Sequence, residues 1–109
     1  MDQLIKDILR WHIKTFPKAT LETQLLKVNN EMAEMMNATT PANYIEEWAD
    51  VCIASVSLAE RFNSWLGKYL LLKYFYDLDD SQKNIIRQAI KRKMKINKKR
   101  TWKEDQHVE

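Results

Sequence analysis

A chain of 109 residues is long enough for one domain with a modest core, and residues 1–109 read as a single unit. Its one cysteine excludes an internal disulfide and points to a reducing compartment. The net charge of +3 is small but uneven, because residues 91–100, KRKMKINKKR, hold seven of the 18 basic side chains. One glycine and two prolines, among plentiful Met, Leu, Ile, Lys and Glu, make helix the default and an all-α fold the expectation. The first apolar stretch is broken by Lys6, Asp7 and Arg10, so it does not read as a signal peptide. The longest apolar run, Val51 to Ala59, is interrupted by serines and is too short to span a bilayer. The expectation is a cytoplasmic protein with no membrane partner, and exposed apolar stripes on so short a chain favour a homo-oligomer.

Residues 2–15 pattern as an amphipathic helix with Leu4, Ile5, Ile8, Leu9, Trp11 and Ile13 apolar. Pro17 ends it, since the residue before a proline avoids helical geometry. Thr20 caps a second helix that runs to about Asn37, with Leu21, Leu25, Val28, Met32 and Met35 as its core stripe. Residues 37–43, NATTPAN, form a loop in which Thr40 caps, and Pro41 opens, a third helix reaching about Phe62 or Trp65. Gly67 marks a helix end or turn. Residues 68–76, KYLLLKYFY, read as a short helix packed on the bundle or on a second subunit, with a strand as the competing reading. Asp77 to Asp80 turn the chain, and Asp79 with Gln82 resembles a capping box. A last helix runs from about Asp80 to Asn97, which makes four to five helices in all, and the polar tail after Trp102 should fray.

Two acidic pairs flank the Pro41 break: Glu31 with Glu34, and Glu47 with Asp50. Residues three apart on a helix share a face, so two antiparallel helices marked in this way can present four carboxylates to one cavity. Most such pairs lie on solvated faces, and helical phase is what separates the two cases. At about 100° per residue, Lys27, Glu31 and Glu34 fall within roughly 40° of one another, beside the apolar stripe. The third helix carries Ile45, Ala49, Cys52, Val56 and Ala59 on one face. Glu47 and Asp50, followed by Val51, Ala54 and Leu58, lie on the opposite one. A helix apolar almost all round is buried on both sides. Carboxylates on a covered face need a partner. Lys27, Arg61 and the basic last helix are candidates, but four clustered acids repel one another and favour a divalent cation such as Mg²⁺.

On the last helix, Ile86, Ala89 and Ile90 mark the core face, and Lys93, Asn97 and, if the helix extends, Arg100 project within roughly 60° of one another on that side. Lys93 either snorkels to water or, with Arg100, holds phosphate oxygens while Asn97 hydrogen-bonds a substrate. Lys91, Arg92, Lys95, Lys98 and Lys99 point elsewhere. Trp48, Trp65, Tyr69, Tyr74 and Phe75 read as core or subunit interface, whereas Trp11 and Trp102 are the candidates for stacking on a base. His12 and His107 are too isolated to be ligands or bases, and Cys52 is an inert core residue. No nucleophile elbow, Cys–His pair or phosphate-binding glycine loop is present.

Lys27-x3-Glu31-x2-Glu34, twelve residues, then Glu47-x2-Asp50 resembles the MazG-like all-α NTP pyrophosphohydrolases. Lys93-x3-Asn97-x2-Arg100-Thr-Trp102 is similar to the basic ending of a small, often phage-borne branch of that group, as is Trp11 with Phe16-Pro17 before the acidic helix. The resemblance covers most of the chain. It implies a helical bundle, commonly a homodimer or homotetramer, that hydrolyses a (deoxy)nucleoside triphosphate to the monophosphate and pyrophosphate in nucleotide-pool control. Carried over by position, Glu31, Glu34, Glu47 and Asp50 would bind Mg²⁺, with Mn²⁺ as a substitute. Lys27, Lys93, Asn97 and Arg100 would face the nucleotide, with Trp102 beside them. Glu34 or Glu47 would take the proton of the attacking water. Many members have two adjacent acids where this chain has Asn30-Glu31, so one acid of the usual set is missing. The competing expectation is a helical nucleic-acid-binding or interaction module that uses the basic C-terminal helix. A nucleotide-binding member without turnover is the third.

Overall fold

The computed structural model describes residues 1–102; the polar tail beyond Trp102, including His107, lies outside the described residues. Among the described residues the chain is all helical: α1 (Gln3–Thr15), α2 (Leu21–Met36), α3 (Pro41–Val56), α4 (Trp65–Leu71) and α5 (Asp80–Lys99). Wider π-helical turns extend α3 over Ser57–Arg61 and α4 over Leu72–Tyr76. No helix among the described residues is long and apolar enough to cross a membrane.

Local chemistry sets the boundaries. Asp2, Thr20, Thr40, Ser64 and Asp79 each accept a backbone N–H in the first turn of the helix that follows, satisfying donors that would otherwise have no partner. Asp79 and Gln82 form the capping box expected of them. Pro41 occupies the first turn of α3, where its missing N–H costs nothing. The segment 68–76 is helical, as the first of its two sequence readings has it.

The centre of the bundle is α3. Nine consecutive residues, Val51 to Ala59, are buried, which only a helix covered on all sides can achieve. Its main packing partners are α2 and α5. Ile5 and Ile8 of α1, Phe75 of the second π turn, and Ile86, Ala89, Ile90 and Met94 of α5 complete the larger core. Val28, Ala54, Leu58 and Leu70 form a smaller core on the α2 side.

Three expectations need correction. Gly67 lies inside α4, not at a helix end. A Cβ there would sit 2.5 Å from the Ala59 nitrogen, so it is the close approach of α4 to the turn after α3 that demands glycine. The reversal before α4 is made by Asn63, at φ 52°, a conformation asparagine tolerates better than most residues. Of the two places expected for Trp65 and Tyr69, core or subunit interface, the core is ruled out, since they stack on each other at the surface. The buried stripe of α2 is Gln24, Val28, Glu31 and Met35. Leu21 is exposed at the first position of that helix, and Leu25 and Met32 are only half-buried.

Candidate functional site

The polar stripe of α2 is covered because it faces a cavity of about 230 Å³. Gln24 and Glu34, ten residues or about 15 Å apart along the helix, both line it. Asp50, Ile53 and Ala54 of α3 form the opposite wall, and Lys93, Ile96 and Asn97 of α5, with Arg100 just after it, close a third side. Trp11, His12 and Phe16 of α1 meet Trp102 at the remaining edge.

The acidic end brings Glu31, Glu34 and Glu47 together, each offering a carboxylate oxygen within 4.8 Å of the other two. Glu31 is buried and Glu47 half-buried, whereas Glu34 opens to solvent. Glu31 is ion-paired through Oε1 with Lys27 at 2.9 Å, yet its Oε2 is buried without a partner, as is Oε2 of Glu47. Burial raises the Glu47 carboxyl above its ordinary range, and Glu34 beside it raises it further. Asp50 pairs with Lys93 at 3.3 Å. Burial and then the charge of Glu31 push its carboxyl up to about 7 despite that lysine. Lys93 has its ammonium raised above the usual lysine range by Asp50 first and Glu47 next, which outweighs its own partial burial.

The other end of the cavity is organised around a residue that the sequence reading set aside. His12 is buried, not isolated. Arg61 Nη1 lies 2.9 Å from its Nδ1 and Gln24 Oε1 lies 2.9 Å from its Nε2. A guanidinium has only donors, so Nδ1 is the acceptor and the Nε2–H donates to Gln24. That fixes the Gln24 amide, whose Nε2 donates to the Ala54 carbonyl at 2.8 Å. Arg61 also donates to the carbonyls of Phe16 at 2.8 Å and Pro17 at 3.2 Å. It is therefore engaged at the end of α1. The π turn that ends α3 is what carries Arg61 there, an example of such turns occurring at sites with a specific geometric task.

Beside this network Trp102 meets Trp11 at 6.1 Å and Phe16 at 5.5 Å, edge to face. The α5 helix stops at Lys99, so Arg100 does not continue it but turns extended as its C-cap. Its guanidinium lies 4.2 Å from the Trp102 ring centroid, and the Trp102 indole donates to the Asn97 carbonyl at 2.9 Å. Arg100 thus reaches the cavity by leaving the helix.

Of the sequence candidates, Lys27, Glu31, Glu34, Asp50, Lys93, Asn97, Arg100 and Trp102 line one cavity, and Glu47 joins it through the glutamate cluster. Cys52 is fully buried with its thiol pushed up to about 12 by burial, which keeps it out of any chemistry. The sequence reading missed His12 and Gln24; a buried-phase glutamine at Gln24, four residues before Val28, was the available signal.

No family model, curated protein or solved structure matches the chain. Function is therefore read from the side chains themselves. An all-oxygen donor set with two unpartnered buried oxygens suits a hard divalent cation, and Mg²⁺ in particular, which needs few protein ligands and keeps waters.

Proposed function

We propose that this chain binds Mg²⁺, with Mn²⁺ as a substitute, at Glu31, Glu34 and Glu47 beside Asp50. There it hydrolyses a (deoxy)nucleoside triphosphate to the monophosphate and pyrophosphate. The observation that carries this reading is the pair of buried, unpartnered carboxylate oxygens on Glu31 and Glu47, in an acidic cluster beside a cavity also lined by Lys93, Arg100, Trp11 and Trp102. The motif resemblance to MazG-like pyrophosphohydrolases points the same way. When bound, Mg²⁺ would supply neutralisation of phosphate charge and a water of lowered pKa.

The chain's own residues account for the rest. Glu47, whose carboxyl is raised by burial and by Glu34, is the first candidate to take a proton from the attacking water, and Glu34 is the second. Lys93, which is paired with Asp50 next to the cluster, and Arg100 would give charge-assisted hydrogen bonds to phosphate oxygens. Asn97 contributes from the same wall, and Trp11 with Trp102 offers planar faces to a base. A homodimer or homotetramer belongs to this reading, in which the exposed Trp65, Leu66, Tyr69 and Leu72 would be covered.

The nucleic-acid reading has less behind it, because Arg92, Lys93 and Lys98 of the basic helix are held by Glu46, Asp50 and Asp7. The test is a panel of ribo- and deoxynucleoside triphosphates with Mg²⁺, scoring pyrophosphate against orthophosphate. Pyrophosphate release that disappears in Glu47→Gln is the expected result. No turnover of any nucleotide, with salt-sensitive binding to DNA or RNA instead, would sink the proposal.

A further inference from the structure

A second cavity, about 460 Å³, shares Trp11, Asn97, Arg100 and Trp102 as a common wall with the first, whose acids and cations balance, and carries a surplus of positive charge. Arg10, Lys14, Lys98 and Arg100 line it, and its one acid, Asp7, is committed to Lys98 at 2.7 Å. Asp7, Arg10, Trp11, Lys14 and Thr15 all come from one face of α1, at helical spacings of three and four. Among the described residues, Arg10 and Lys14 make no ion pair.

Basic residues near helix C-termini have an ordinary explanation, since they complement the helix dipole. Lys14 and Lys98 do sit in the last turns of α1 and α5. Each helix end is worth only about half a negative charge, however, so two ends offset about one of the cavity's three surplus positive charges. The remainder is a concave cationic surface with two guanidinium forks, an ammonium and the Thr15 hydroxyl converging on it.

We infer that this cavity is an anion site for an oligophosphate, adjoining the first across the shared Arg100 and Trp102, with inorganic pyrophosphate and tripolyphosphate as its simplest ligands. The phosphate chain is free, not part of a nucleic-acid backbone. The occupant is short because the cavity is concave and takes its cations from both α1 and α5; Lys91 and Lys95 share the Lys98 face of α5, at spacings of seven and three, but lie outside the cavity, and a nucleic-acid backbone running along that face is the competing occupant. The inference stands apart from the proposed hydrolysis, because it requires neither the acidic cluster nor a metal ion.

Calorimetric titration of the full chain with tripolyphosphate in EDTA tests it. Without a divalent cation the glutamate cluster repels phosphate, which disfavours the first cavity. The expected result is one equivalent bound, with affinity at least tenfold weaker in the Arg10→Ala/Lys14→Ala double variant and unchanged in Lys93→Ala and Lys95→Ala. The double variant should melt where the wild type does, since both side chains are exposed. Three outcomes would overturn the inference. They are no binding by the wild type, equal binding by the double variant, and loss of binding in Lys93→Ala, which would put the ligand in the first cavity. A single-stranded oligonucleotide that displaces tripolyphosphate at lower concentration would overturn it too, in favour of a nucleic-acid backbone. None of these results depends on whether any nucleotide is turned over.

Discussion

Two clusters of buried polar side chains face the same cavity and follow opposite rules. In the His12, Gln24 and Arg61 cluster, each side chain is hydrogen-bonded to another side chain or to a backbone carbonyl. In the acidic cluster, Glu31 and Glu47 each keep a buried oxygen with no partner, and the Asp50 carboxyl is pushed up to about 7. An unsatisfied buried polar atom costs about 1–3 kcal/mol, and more when charged. The same fold therefore completes one network and leaves its neighbour open. The first behaves as architecture. The second is held at a cost to stability, as expected of a place where a ligand completes the coordination.

Substitution should split the two clusters cleanly. The largest expected effect is on chemistry: Glu47→Gln lowers pyrophosphate release at least about 100-fold, the scale of losing one well-placed catalytic group. Without metal its melting temperature should not fall, because a buried charge has been removed. Gln24→Leu should do the reverse to stability. It leaves the His12 ring and the Ala54 carbonyl without their partner and costs about 2–3 kcal/mol in urea denaturation. A Gln24→Leu protein as stable as the wild type would contradict the architectural role of the paired cluster. Next in size is the metal itself. Mg²⁺ at about 100 times its dissociation constant should stabilise the wild type by about 2.7 kcal/mol, and Glu47→Gln markedly less, as read by thermal melts.

Much of this contrast is visible in the sequence, and the part that is not has a physical cause. The caps at Thr20, Thr40 and Asp79 are local, so residue type and spacing suffice to place them. Three of the four acids of α2 and α3, Glu31, Glu34 and Glu47, converge as their helical phases suggest, while Asp50 pairs with Lys93. The α2 stripe is misplaced in a pattern reading because periodicity counts apolar residues, and this stripe alternates Gln24 and Glu31 with Val28 and Met35. His12 is invisible for a different reason. Its partners are 12 and 49 residues away, and Arg61 arrives only because a π turn redirects the chain after α3. Gly67 was misread because close packing between backbones, unlike a turn, leaves no local signature.

The smallest expected effects come from protons, and they have opposite signs at paired and unpaired carboxylates. Asp2 is hydrogen-bonded to Arg87 and caps α1, and Arg87 holds its carboxyl below the ordinary value of 3.8. Its contribution is present above about pH 4 and is lost as pH falls through the lower folded value. Asp50 is the reverse, with a carboxyl raised from 3.8 to about 7. The folded chain keeps a proton there that the unfolded chain has released, so stability falls as pH rises from about 4 to about 7 and levels off above. Melting curves in EDTA should therefore decline across that window in the wild type and flatten in Asp50→Asn. Asp2→Asn should keep the decline while losing about 1 kcal/mol near neutrality, the scale of one partly exposed ion pair. Saturating Mg²⁺ should also flatten the wild-type curve, because a bound cation favours the carboxylate and removes the difference between the folded and unfolded proton counts. Glu47, whose carboxyl is also raised, supplies any shallower slope that remains in Asp50→Asn, and a decline as steep as the wild type's would assign the effect to Glu47 alone.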